Sequence, residues 1–171
     1  ITFDDLGWRL GGWAEPAEYV LVMRRLPDKR MLPSLLATEQ VTPAMMRELA
    51  EFLAGFHREA ARATGTTPQR YAADVQKQWN DNLADLEPFI GELFDAENFG
   101  AIQKFAADFI GQHGELFARR AVQGRIRDVH GDLHAEHICF APEGIQIFDC
   151  IEFNPRLRHC DLASEIAFLS M

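Results

Sequence analysis

The 171-residue chain sets 17 Lys and Arg against 26 Asp and Glu, a net charge of −9, with 47% hydrophobic and 25% charged residues. That is the composition of one ordinary globular domain, long enough to bury a core without disulfides or structural metal. A pI near 5.1 argues against a nucleic-acid partner, because phosphate-backbone binders gather Lys and Arg on one face.

Cys139, Cys150 and Cys160 lack Cys-x-x-Cys spacing, so neither a disulfide framework nor a zinc knuckle is indicated and a reducing compartment fits. No apolar run approaches the ~18 residues of a membrane span, and no signal pattern opens the chain. A cytoplasmic protein with no membrane partner is expected. The start at Ile1 and the stop at Met171, inside the apolar-periodic stretch from Asp161, read as a piece of a longer polypeptide. Thirteen Phe and three Trp are expected to supply much of the core.

Residues 1–27 read as strands joined by a turn: Thr2-Phe3, Trp8-Arg9-Leu10 and the run Tyr19-Val20-Leu21-Val22-Met23, punctuated by Gly11-Gly12 and Glu15-Pro16. Gly7, Gly11 and Gly12 make neither G-x-G-x-x-G nor a Walker sequence, so they read as turn formers. The one plausible boundary lies near Pro27, where helical patterning takes over. Thr42-Pro43 starts a helix carrying Met46, Leu49, Leu53, Phe56 and Ala60 up to Thr64-Gly65. A second spans Ala72 to Glu87 with Val75, Trp79, Leu83 and Leu86, and a third carries Ile102, Phe105, Phe109 and Ile110, continuing past Gly114 through Leu116 and Phe117. These stripes are expected to be core. After Gly124 the chain reads as a strand over Ile126–His130, then a hairpin of Ile138-Cys139-Phe140 and Ile145–Phe148 around Pro142-Glu143-Gly144.

The chemistry-bearing residues concentrate between Asp128 and Asp149: Asp128, His130, Asp132, His134, Glu136, His137 and Asp149. Imidazoles and carboxylates grouped around short strand ends suit a cation and catalysis. The plain alternative is that His134 and Glu136 are solvated loop residues and His130 a hydrogen-bonded buried one.

His130-Gly131-Asp132, then His137, then Asp149 at the end of Ile145-Gln146-Ile147-Phe148, resembles the catalytic and metal-binding segments of aminoglycoside phosphotransferases and choline kinase-like enzymes, small-molecule relatives of protein kinases. Leu53-Ala54-Gly55-Phe56-His57 resembles the family's Leu-x-x-Leu-His helix end, Asp161-Leu162-Ala163 its Asp-Leu-Ala helix start, and Tyr19 to Pro27 the strand and hinge between two lobes. The resemblance implies an α+β, protein-kinase-like fold. Residues 1–27 would be the last N-lobe strands and hinge, and residues 28–171 a mainly helical C-terminal lobe with a short β-hairpin.

By the same resemblance the activity is transfer of the γ-phosphate of ATP to a hydroxyl of a small substrate. Asp132 would accept or orient the hydroxyl proton, His130 brace the loop, Asp149 and His137 hold Mg²⁺ and the backbone at Met23 and Arg25 contact the nucleotide. Glu152 would be an outer-shell acid or a surface carboxylate, and Asp161 a helix N-cap that also tethers the catalytic loop. His137 stands where the family usually has Asn, and imidazole is a poor ligand for hard Mg²⁺. It favours Mn²⁺, acts through a water, leaves one metal mainly to Asp149, or is structural.

The implied nucleotide-phosphate loop and ATP-contacting Lys have no candidate before Tyr19, and Lys29 follows the hinge. The chain alone is therefore expected not to turn over ATP efficiently. The nearest subgroup joins this domain to a separate P-loop ATP-binding domain. The charge of −9 suits a cationic amino sugar or amino alcohol, although solvated surface charge explains it equally. Two other readings stay open. Asp128-Val129-His130-Gly131-Asp132 also resembles the Asp-x-His-Gly opening of calcineurin-like metallophosphoesterases, although no Gly-Asn-His follows. A non-catalytic kinase-like binding module would tolerate His137 and the missing nucleotide elements.

Overall fold

The computed structural model describes residues 1–4, 7–11, 15–65 and 67–171, with backbone alone for Phe3, Asp4 and Gln69. Strands β1 (Thr2–Asp4) and β2 (Gly7–Arg9) pair antiparallel with Thr2 opposite Arg9. The turn expected at Gly12 lies outside the described residues. The run Tyr19–Met23 forms no strand, contrary to the sequence reading. Its side chains stand in solvent, Leu21 at 81% and Val22 at 82% exposure, and no described strand pairs with them. Strand propensity without a hydrogen-bonded neighbour does not sustain a strand.

A single 3₁₀ turn at Asp28–Arg30 leads into α1 (Leu32–Ala37), which buries Leu32 and Leu35. It is too short for the sequence to show a period. Helix α2 (Pro43–Glu59) starts as expected, with the Thr42 hydroxyl accepting from the Met45 N–H at 3.2 Å. Its buried face is Leu49, Leu53 and His57, spaced four residues apart, while Met46 and Phe56 turn outward.

Helix α3 (Pro68–Leu86) begins four residues before Ala72, because Thr67 caps the Arg70 N–H at 3.2 Å and Pro68 suits the first turn. The third helical stretch is two helices, α4 (Ala96–Gln112) and α5 (Gly114–Val122), broken at His113 with φ −116° and ψ 24°. Ile102 and Phe105 of α4 are 52% and 69% exposed, so that stripe is only partly core.

Strand β3 (Ile126–Asp128) precedes the loop in which the ionisable residues gather, and β4 (Ile138–Ala141) and β5 (Gly144–Ile147) form the expected hairpin. Ile138 faces Ile147 and Ala141 faces Gly144. After α6 (Pro155–Arg158) comes β6 (His159–Asp161), which pairs antiparallel with β3, and then α7 (Leu162–Leu169). The sequence does not mark β6: three residues, two of them polar, carry no readable alternation.

The result is a mixed α+β chain, mostly helical, with three two-stranded antiparallel sheets among the described residues. The core is aliphatic rather than aromatic. Leu32 and Leu35 of α1, Leu49 and Leu53 of α2, Leu133 of the loop, Ile138 and Phe140 of β4 and Ile145 of β5 make one buried cluster. Each such side chain contributes about 1.5–3 kcal/mol by leaving water. Trp8 and Trp79 are 68% and 40% exposed, and Phe105 and Phe153 are exposed as well, so among the described residues the aromatic share of the core is Phe140, and Trp13 lies outside the described residues. Arg127 of β3 closes the end of α2, donating to the Ala60 carbonyl at 2.5 Å and the Arg58 carbonyl at 3.2 Å. No described helix is long and apolar enough to cross a membrane.

Candidate active site

The loop between β3 and β4 runs from Val129 to His137, and backbone bonds fix both its ends. The Val129 N–H donates to the Arg158 carbonyl at 3.0 Å, and the Phe148 N–H to the His137 carbonyl at 3.2 Å. His130 is buried. Its Nε2–H donates to the Phe148 carbonyl at 2.8 Å and its Nδ1 accepts from the Asp132 N–H at 3.3 Å. Both ring nitrogens are thereby used, and the tautomer is set by the carbonyl that Nε2 must serve.

Gly131 adopts φ +82°, and a Cβ there would stand 2.8 Å from the Leu157 carbonyl oxygen. Only glycine meets both conditions without displacing the α6 backbone. Behind the loop sits Glu165 of α7, 3% exposed. Its Oε1 accepts from the N–H groups of His130 and Gly131 at 2.7 and 3.2 Å, and its Oε2 accepts from His57 Nε2 at the buried end of α2. Amides and imidazole thus satisfy a carboxylate that would otherwise be costly to bury.

Leu133 enters the core at 1% exposure, which turns its neighbours Asp132 and His134 outward. The Asp132 side chain is 41% exposed and its Oδ2 lies 3.7 Å from His134 Nε2. His137 donates from Nδ1–H to the Asp132 carbonyl at 2.9 Å, and its Nε2 lies 3.5 Å from Asp149 Oδ2. Asp149 follows β5 in the left-handed region, φ +63°, a conformation Asp adopts at less cost than most residues. Its side chain is 77% exposed. The structure therefore brings Asp132, His134, His137 and Asp149 to one outward-facing cluster.

The other sequence-predicted residues lie elsewhere. Asp161 is the expected N-cap, accepting from the Ala163 N–H at 2.8 Å. Its bidentate partner is Arg120 of α5, at 2.5 and 2.6 Å. The loop tether expected of Asp161 is made by Glu165, one turn further along α7. Glu152 is exposed, and Met23 and Arg25 lie in the irregular segment before α1, where Arg25 pairs with Asp28 at 2.6 Å.

Asp128 is held by Arg158 through two bonds of 2.7 and 3.2 Å. The guanidinium keeps the Asp128 carboxyl below the usual carboxylate range. With Asp128 on Arg158 and both nitrogens of His130 taken, neither presents a free donor to a two-metal centre. That geometry speaks against the phosphoesterase reading.

Glu165 and the role of His57 escape the sequence reading. The available signal was a lone carboxylate within the mostly apolar helix that follows Asp161, Leu162-Ala-Ser-Glu-Ile-Ala-Phe-Leu, which must find a buried partner. A cavity of about 390 Å³ lies between α3 and the α6–β6 segment, lined by Tyr71, Asp74, Lys77, Asn154 and Arg156 among others. Asp132 does not line it.

A family model described as "Phosphotransferase enzyme family" matches residues 3–170. The chain belongs to that family. Among curated relatives are "Uncharacterized protein Rv2004c" of Mycobacterium tuberculosis and "Uncharacterized protein Mb2027c" of Mycobacterium bovis. Each is 34% identical over 161 residues, covering 94% of this chain and 32% of the relative. The chain thus spans about a third of the length of the curated relatives it matches. No solved structure matches it.

Proposed function

We propose that this chain is the kinase-like part of an ATP-dependent phosphotransferase that moves the γ-phosphate to a hydroxyl of a small substrate. The observation that carries the reading is the pairing of an outward Asp132 on a braced loop with an exposed Asp149 beside His137. Phosphoryl transfer needs little covalent help, so placing a proton acceptor and a metal-holding carboxylate side by side supplies most of what a protein must provide.

In the step proposed, the substrate oxygen forms a bond to the γ-phosphorus, the bond to the bridging oxygen of ADP breaks, and the hydroxyl proton passes to Asp132. His130 is a positioning residue, holding the Asp132 N–H and the Phe148 carbonyl together. Asp149 would hold Mg²⁺, with His137 Nε2 close enough to act directly or through a water. Mg²⁺ takes one or two carboxylates together with phosphates and waters, so this donor set fits, and Mn²⁺ accepts the imidazole more readily. When bound, the metal neutralises phosphate charge. A separate P-loop domain is proposed as the partner, in a cytoplasmic protein with no nucleic-acid or membrane partner. The nucleotide would lie against the backbone at Met23 and Arg25.

The test measures ATP consumption by the intact protein with Mg²⁺ or Mn²⁺ and pooled amino sugars, amino alcohols and sugars. Substrate-dependent turnover that falls about 10²- to 10⁴-fold in Asp132→Asn supports the reading. Absence of both turnover and nucleotide binding overturns it in favour of a kinase-like binding module.

A further inference from the structure

The loop holds more imidazole than hard-metal phosphate chemistry uses. Asp132, His134 and His137 each offer one ligand atom, and these atoms all lie within 4.8 Å of one another. They are placed by two different anchors. Leu133, 1% exposed, pins the backbone between Asp132 and His134, and the bond from His137 Nδ1–H to the Asp132 carbonyl at 2.9 Å leaves Nε2 as that ring's free lone pair. A backbone carbonyl on the second nitrogen is the arrangement that orients metal-binding histidines. Aromatic rings surround both imidazoles: His134 and His137 have centroids 3.9 Å apart, Phe168 stands edge-on to His134 at 6.2 Å and Phe148 lies 5.9 Å from His137.

We propose that Asp132, His134 and His137 form a site for a borderline transition-metal ion of the Zn²⁺ or Co²⁺ class, bound without nucleotide. Two imidazoles and one carboxylate, with positions left open for water, are a donor set such ions prefer and Mg²⁺ does not. Tetrahedral ligation with bonds near 2.0 Å needs ligand atoms about 3.3 Å apart. Side-chain rotation closes the difference, since Asp132 and His134 are 41% and 32% exposed and neither is locked in the core. The ion would occupy the Asp132 carboxylate that the proposed phosphotransferase uses as proton acceptor, so the two occupancies exclude each other. The assignment itself requires no nucleotide and stands apart from the phosphotransferase reading.

The experiment is a Co²⁺ titration of the intact protein in nucleotide-free buffer, followed by visible ligand-field absorption and calorimetry. Wild-type protein is expected to show intense ligand-field bands that saturate at one equivalent per site and persist in a hundredfold excess of Mg²⁺. His134→Ala and His137→Asn should each weaken Co²⁺ binding by about tenfold or more. His113→Ala, which removes an exposed imidazole on another part of the surface, should leave the affinity unchanged. Unfolding curves of the metal-free variants establish that each is folded. Co²⁺ affinity unaltered in folded His134→Ala, an equal loss in His113→Ala, or displacement by equimolar Mg²⁺ overturns the assignment. None of these results bears on phosphate transfer, which is read with Mg–ATP and a hydroxyl acceptor.

Discussion

His57 donates its Nε2–H to Glu165 across 108 residues of sequence, both side chains buried. The same carboxylate accepts from the backbone N–H groups of His130 and Gly131, so one side chain ties α2, α7 and the start of the loop together.

Removing that carboxylate leaves two amides and an imidazole without their acceptor. Glu165→Ala is expected to lower unfolding free energy by about 3–5 kcal/mol, and Glu165→Gln, which keeps one acceptor oxygen, by less. Urea unfolding measures both, and a loss below about 1 kcal/mol in Glu165→Ala would show that other bonds hold the loop.

Gly131 combines a positive φ with a backbone approach of 2.8 Å. Gly131→Ala is expected to cost about 2 kcal/mol or more, which for a chain of this size lowers Tm by about 4–8 °C. A thermal melt within 1 °C of wild type, taking ~1 °C as measurement error, would contradict that account of the glycine.

Asp132 and Asp149 are given different tasks, and their variants should separate. Asp132→Asn lowers kcat by about 10²- to 10⁴-fold with Mg–ATP affinity near wild type. Asp149→Ala instead weakens Mg–ATP binding, read by calorimetry with no acceptor present. Unchanged affinity in Asp149→Ala would discard that residue as the metal carboxylate.

Asp128 provides a pH signature. Arg158 holds its carboxyl below the ordinary value, so the pair stabilises the fold above about pH 4, where the unfolded carboxyl is already ionised. That contribution is lost as pH falls through the lower, folded value. Asp128→Asn removes the effect. The gap between wild-type and variant urea midpoints should therefore be present at neutral pH and close on acidification, by a modest amount for a side chain one-third exposed.

The three cysteines differ in access. Cys150 is exposed, whereas Cys139 is fully buried with its thiol pushed up by burial, and burial pushes Cys160 up to about 12. Of these three, a thiol reagent at pH 8 should label Cys150 rapidly and the others only on unfolding. Mass spectrometry of the labelled peptides checks the order.

What the sequence showed depended on the length of the signal. Helix α2 was readable because Thr42, Pro43 and the Leu49–Leu53 spacing agree, and the β4–β5 hairpin because two apolar runs flank Pro142-Glu143-Gly144. Short elements were not: α1 spans less than two turns, and β6 exists because β3 lies beside it. The Tyr19–Met23 run shows the converse, strand-forming residues without a partner. At the site, Asp132, His137 and Asp149 stood out by their resemblance to the family's motif, and the structure brings them together. Glu165 did not, because its importance lies in what surrounds it after folding rather than in its neighbours along the chain.

The bond from α7 back to the loop also sets a rule for cutting this protein into pieces. A fragment that ended between residues 148 and 164 would contain every residue of the β3–β4 loop and the hairpin, yet would lack the acceptor for the loop's amides at His130 and Gly131. The C-terminal limit of a fragment that keeps all of this loop's bonds is thus set by a buried residue of α7 rather than by the cluster itself.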